Sequence, residues 1–181
     1  MPYNSLQLEK KNQIKNDVLQ FVKKGVNNFL NEKKDLVFYA FALDYNADHM
    51  SIGISFNTDD AFTKTLHSYQ TANSYQTEES IHELKYEPGD WDYICVDYYE
   101  IKANLWTFSP DWEDEDFERQ ANNLMEIFCE VLVEFEKTEE FISIPKVDGF
   151  KVMCIDHDED VEIANKRLDS VRQKNNFITE I

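Results

Sequence analysis

Glycine and proline are scarce, with 4 of each in 181 residues. That excludes collagen-like and low-complexity chains, and no Gly-rich loop is present to cradle a nucleotide phosphate. Few special turns also imply long regular elements. Cysteine is as rare: Cys95, Cys129 and Cys154 are odd in number, widely spaced and without a CxxC pair. No disulfide framework is expected, and the three read as reduced, mostly buried thiols of a cytoplasmic protein. Long apolar runs are missing too. Runs such as Val37–Leu43 fall far short of the roughly 20 residues that cross a bilayer. The opening MPYNSLQLEKKNQ lacks the apolar core of a secretion signal, so export is not expected.

Positive charge is the last scarcity. Lys and Arg number 18 against 36 Asp and Glu, a formal charge of −18. The imbalance is uneven: residues 1–35 hold 7 lysines against 4 acids, net +3, and residues 36–181 carry the remaining −21. A surface this negative repels phosphate backbones and anionic lipid, which argues against nucleic acid and membrane as partners. A basic protein partner is favoured, because opposite fields steer encounter. Solubility alone is the plainer use of the same charge.

What the chain has in plenty is aromatic bulk: 13 Phe, 9 Tyr and 3 Trp. A chain of this length and composition can bury one core, and no linker rich in Pro, Gly or Ser divides it, so residues 1–181 are expected to form a single domain. Ile14, Val18, Phe21, Val22, Gly25 and Phe29 recur at helical steps and predict a long amphipathic helix over about 5–30. DLVFYAFALDY is apolar on both alternating faces, the mark of a strand covered on both sides. Met50, Ile52, Ile54 and Phe56 then alternate with the small Ser51, Gly53 and Ser55, and the two runs form a hairpin. Asn57-Thr58-Asp59-Asp60 starts a short helix. Residues 69–83 have no firm period and read as a mobile connection. Trp91, Ile94, Cys95, Tyr98, Ile101 and Leu105 lie at helical spacing, with a strand over 92–99 as the competing reading. Phe117, Ala121, Leu124, Phe128, Leu132 and Phe135 define a long central helix ending near Lys137. A short strand at 141–144, a turn at Val147-Asp148-Gly149, a strand FKVMCI and a final helix to about Lys174 complete an α+β fold. Its small antiparallel sheet is packed with several helices.

The most enzyme-like string is CIDHDED, residues 154–160. A metal site would need His157 and its neighbouring acids to converge on one ion. On a strand, Asp156 and Asp158 share a face that His157 leaves, and no second His or Cys stands nearby. The acids are better placed to cap the following helix and favour its dipole. Each cysteine sits in an apolar stretch and no GxSxG elbow occurs, so no catalytic residue, metal ligand or cofactor is assigned. The best surface constellation is the acidic helix entry with its tryptophans: Trp106, Trp112, Glu113, Asp114, Glu115 and Asp116 are the candidate partner-binding residues. A second is SYQTANSYQT, where Tyr69 and Tyr75 stand as possible anchors.

The hairpin VFYAFALDY…SIGISFNT, the KYEPGDW turn, the long helix and the closing FKVMCIDHD with LDSVRQKNN follow one another in an order that resembles the bacterial family known as domain of unknown function 4303. The pattern spans about residues 10–176, and Lys174 stands where an aliphatic residue is expected. The family supplies no catalytic or ligand residues to carry over. Small acidic families of this kind are similar to immunity proteins, which neutralise a cognate toxin. The expectation is therefore a cytoplasmic, non-enzymatic binding protein, an immunity protein for a basic toxin. The alternative is a hydrolase or metal-dependent enzyme using acids near 156–160.

Overall fold

The structure, a computed structural model, describes residues 5–47, 49–106, 114–156 and 159–178. In chain order these form α1 (Ser5–Glu32), β1 (Phe38–Asn46), β2 (Ser51–Asn57), α2 (Asp59–Thr71), α3 (Glu78–Lys85), β3 (Tyr93–Glu100), α4 (Asp114–Phe135), α5 (Glu139–Ile142), β4 (Lys146–Asp156) and α6 (Val161–Ile178). The strands make one sheet in the order β3-β2-β1-β4. β1 and β2 are antiparallel, with Phe41 opposite Phe56 and Leu43 opposite Ile54. β1 and β4 are parallel, with Leu43 opposite Cys154, so the sheet is mixed and not purely antiparallel as expected. The reason is connectivity: β4 returns through α4, a crossover that brings a strand back in the same direction.

β1 is apolar on both faces because both faces are covered. Phe38, Phe41, Leu43 and Tyr45 meet Ile52, Ile54 and Phe56 of β2 in the main core. Ile14, Val18, Val22 and Phe29 of α1 and Leu124, Phe128, Leu132 and Phe135 of α4 close that core, as their spacing predicts. Each such fully buried side chain is worth roughly 1.5–3 kcal/mol of transfer free energy. On the opposite face Tyr39, Ala40, Ala42, Trp91 and Met153 form a second cluster, with Phe62 and Tyr86 packed against it. At the hairpin turn His49 N–H donates to Asn46 Oδ1 at 3.1 Å, and Met50 takes the left-handed φ of 47°.

Three local readings are corrected. The segment expected as a helix from Trp91 is β3. Phe56 pairs with Tyr93 but Ile54 with Asp97, so extra residues bulge on β3, and Cys95 takes a φ of 46° there. The bulge lets Tyr93, Val96 and Tyr99 pack on the core, while Ile94, Cys95 and Tyr98, whose spacing suggests a helix, are exposed. Cys95 is the one cysteine that is not buried. The small Ser51-Gly53-Ser55 face makes room for this bulge: Cys95 Sγ lies 3.2 Å from where a Gly53 Cβ would sit, and Cys95 N–H donates to Ser55 Oγ at 2.9 Å.

Residues 69–83, expected as a mobile connection, contain the end of α2 and most of α3. Thr77 caps α3 in a box with Ser80, whose N–H donates to Thr77 Oγ1 at 3.2 Å while Thr77 N–H donates to Ser80 Oγ at 3.2 Å. The strand expected at 141–144 is instead α5, capped by Thr138, whose Oγ1 accepts from Phe141 N–H at 3.3 Å. The expected cap of α2 is present: Thr58 Oγ1 accepts from Ala61 N–H at 3.2 Å.

The charge asymmetry of the sequence becomes spatial in the fold. Lys11 and Lys15 of α1 reach Glu130 and Glu134 of α4 at 2.7 Å, and Lys23 reaches Glu140 at 3.3 Å. The basic N-terminal segment thus neutralises acids on its own side of the sheet.

Candidate functional site

Of the candidate partner-binding residues, Trp106 is half-buried against the main core, and its indole Nε1 is buried with no hydrogen-bond partner among the described residues. Glu115 is exposed on the first turn of α4, and Asp116 is ion-paired with Arg119. Asp114 is the first residue of α4, while Trp112 and Glu113 lie outside the described residues. Tyr69 and Tyr75 do meet, with ring centroids 5.0 Å apart.

Asp156 and Glu159 line a cleft of about 460 Å³ at the C-terminal ends of β1 and β4, together with Asn46, Asn122 and Phe117. His157 and Asp158 lie outside the described residues. Glu159 is committed to Arg167 in a two-pronged ion pair, with only 13% of each side chain exposed. Cys154 shares a hydrogen bond with Cys129 and is fully buried, and both causes hold its thiol proton well above the usual range. Such a thiol is no nucleophile near neutral pH. Among the described residues no group of three or more His, Cys, Asp and Glu is placed to hold a metal ion.

A longer groove runs between α3 and the start of α6, and its two halves differ in charge. The first half, about 600 Å³, is walled by Glu79 and Glu83 of α3, by Asp160 and Glu162 at the α6 entry, and by Tyr75 and Tyr86. Its floor includes Leu84, which is 2% exposed. Glu162 has a 3.4 Å contact to the exposed Lys166, and Asp160 Oδ1 caps α6 by accepting from Glu162 N–H at 2.7 Å. Glu79 and Glu83 have no cation within ion-pair distance among the described residues. Tyr75 is held at a φ of 51°, a conformation that side chains seldom adopt, and Gln70 Nε2 fixes it by donating to its carbonyl at 3.2 Å. His82 packs edge-on to Tyr86 at 4.9 Å.

The second half, about 640 Å³, shares His82, Tyr86, Val161 and Asn165 with the first and ends on Lys146, Lys151 and Arg172. The sequence singles out Tyr75 and the acids near 156–160 in the first half, but not Glu79, Glu83 or Tyr86, and no side chain of the second half as a site residue. Glu79, Glu83 and the capping Tyr86 share one helical stripe, but 69–83 is polar and shows no firm period. Lys146 and Lys151 flank a glycine turn in a strongly acidic chain, and that was the available signal for the other end.

Fold and clefts together define an α+β protein whose mixed four-stranded sheet carries helices on both faces. No helix among the described residues is long and apolar enough to cross a membrane. The chain belongs to the family described as Domain of unknown function (DUF4303), whose model matches residues 18–175. No curated protein and no solved structure matches it.

Proposed function

We propose that the chain is a non-enzymatic capture protein of the cytoplasm that takes a basic segment of a partner protein into the acidic half of the α3–α6 groove. The partner chemistry it fits best is a basic toxin, which it would neutralise as an immunity protein. One observation carries the reading: the carboxylates of Glu79, Glu83 and Asp160 converge with Tyr75 and Tyr86 on one cleft, without the lysines that neutralise α4.

An incoming Lys or Arg side chain gains a carboxylate on either wall and an aromatic face beside it. Each exposed ion pair adds only about 0.2–1 kcal/mol, and a cation over a tyrosine ring about 0.5–2 kcal/mol. Affinity therefore has to come from several such contacts, while the net −21 of residues 36–181 raises the association rate. The exposed free thiol of Cys95 is consistent with a reducing compartment.

The test is co-expression with whichever basic protein a neighbouring reading frame of the source genome encodes. Wild-type chain is expected to abolish that protein's toxicity. The triple substitution Glu79→Lys, Glu83→Lys, Asp160→Lys should lower the association rate about 10- to 1000-fold and remove protection without loss of helix content. Unchanged binding and protection by the triple variant would refute the reading.

A further inference from the structure

The basic half of the groove is an anomaly in a chain of charge −18. It presents three cationic side chains, Lys146, Lys151 and Arg172, against two carboxylates, Glu136 and Asp169. Both carboxylates are taken by Arg172, at 2.6 Å and 3.2 Å. Lys146 and Lys151 have no carboxylate within ion-pair distance among the described residues. Lys146 donates to Phe141 O at 2.6 Å, and the described residues supply no acceptor for its other two N–H groups. Burial lowers its pKa below the usual lysine value.

The backbone is shaped to produce this arrangement. Phe38 pairs with Lys146 and Ala40 with Lys151, so Val147, Asp148, Gly149 and Phe150 stand opposite Tyr39 alone. The excursion turns on Gly149, whose φ of 77° suits glycine. It carries Phe150 to the cleft wall beside Phe141, with ring centroids 6.2 Å apart. Phe141 in turn rests on the fully buried Phe135 at 5.6 Å. Lys146 Nζ lies 4.2 Å from the Phe141 centroid and 5.8 Å from that of Phe150. Lys146 thus stands over a firmly backed aromatic wall, in a cleft within the volume range of small-ligand sites, roughly 300–1,000 Å³.

We infer that this cleft binds a small organic anion with a flat apolar ring, its carboxylate or phosphate on Lys146 and Lys151 and its ring against Phe150 and Tyr86. Such an anion supplies the acceptors that Lys146 lacks and offsets the desolvation of its charged amine. An aryl phosphate and an aryl carboxylate share this chemistry. The inference is independent of protein capture by the acidic half.

The experiment titrates phenyl phosphate, benzoate, inorganic phosphate and benzyl alcohol into the full chain, with two-dimensional NMR as readout. Phenyl phosphate or benzoate is expected to bind with a Kd of about 1 mM, the range that ligand efficiency allows so small a probe, and to shift the signals of Lys146, Phe150 and Tyr86. Inorganic phosphate and benzyl alcohol should each bind at least about tenfold more weakly. Lys146→Met and Lys151→Gln should each weaken the aryl anions about tenfold or more while the melting temperature holds. Glu79→Gln with Glu83→Gln should leave aryl-anion binding in place, which separates this site from the capture cleft. No shift at 10 mM aryl anion, equal binding of inorganic phosphate, or indifference to both lysine variants would each overturn the inference.

Discussion

Ile54 Cδ1 of β2 lies 2.6 Å from the point where a Cβ on Gly25 of α1 would stand, so helix and sheet touch there by grace of a missing side chain. Ile54 is fully buried and cannot swing away. Gly25→Ala would gain about 0.5–1 kcal/mol in helix propensity. It would lose more to overpacking, about 1–3 kcal/mol. The expected result is a net loss of about 1 kcal/mol in urea denaturation. Ile54→Val, which removes Cδ1, should cost less in the Gly25→Ala background than alone, and the double-mutant cycle measures that coupling.

Glu159 and Arg167 predict a different asymmetry. Arg167→Met leaves a carboxylate that is 13% exposed without its counter-charge. The expected loss is about 3 kcal/mol in denaturant unfolding. Replacing both residues by Met should recover much of that loss, because the desolvated charge is removed together with its partner. A double variant as unstable as the single one would contradict this account.

Gly149 differs from Gly25 in having open space around it. Nothing lies within 4 Å of a Cβ added there, but its φ is 77°. Gly149→Ala should therefore cost about 1 kcal/mol through backbone strain alone. Gly149→Asn should cost less, because Asn tolerates the left-handed region. Equal melting temperatures for glycine and alanine would refute the strain argument.

Tyr39 carries a pH dependence. Its hydroxyl donates to Lys85 O at 2.7 Å and accepts from Asn57 Nδ2 at 3.0 Å, and burial raises its pKa well above the usual tyrosine value. The folded-state value is raised, so the stability it contributes is complete below about pH 10, the unfolded value, and is lost as pH rises beyond it. Between pH 9 and 11.5 the denaturation midpoint of the wild type should fall more steeply than that of Tyr39→Phe. At pH 7 the variant should be weaker by about 1–3 kcal/mol, because the buried Asn57 amide loses its acceptor.

The two long helices, the doubly covered β1 and the hairpin were legible because their periods are uninterrupted and each residue votes the same way. β3 resembles a helix in the sequence because Trp91, Ile94, Cys95, Tyr98 and Ile101 fall at three- and four-residue steps, although Ile94, Cys95 and Tyr98 are exposed in the fold. α3 is hidden because 69–83 is polar and shows no firm period. The groove was hidden for a different reason. Glu79 and Asp160 are far apart in the chain, as are Tyr86 and Lys146, and no local pattern reports that α3 and the start of α6 wall one groove.

Composition and periodicity alone determined the aromatic-rich α+β character and the acidic excess of this chain, because apolar content and charge counts are additive properties of residues. Only the tertiary fold decided which acids are neutralised and which are not. The parallel return of β4 through α4 sets Lys11 and Lys15 against Glu130 and Glu134, and it leaves Glu79 and Glu83 facing Asp160 across one half of a groove and Lys146 and Lys151 on its other half. Ion pairing acts over a few ångströms of space and takes no account of distance along the chain.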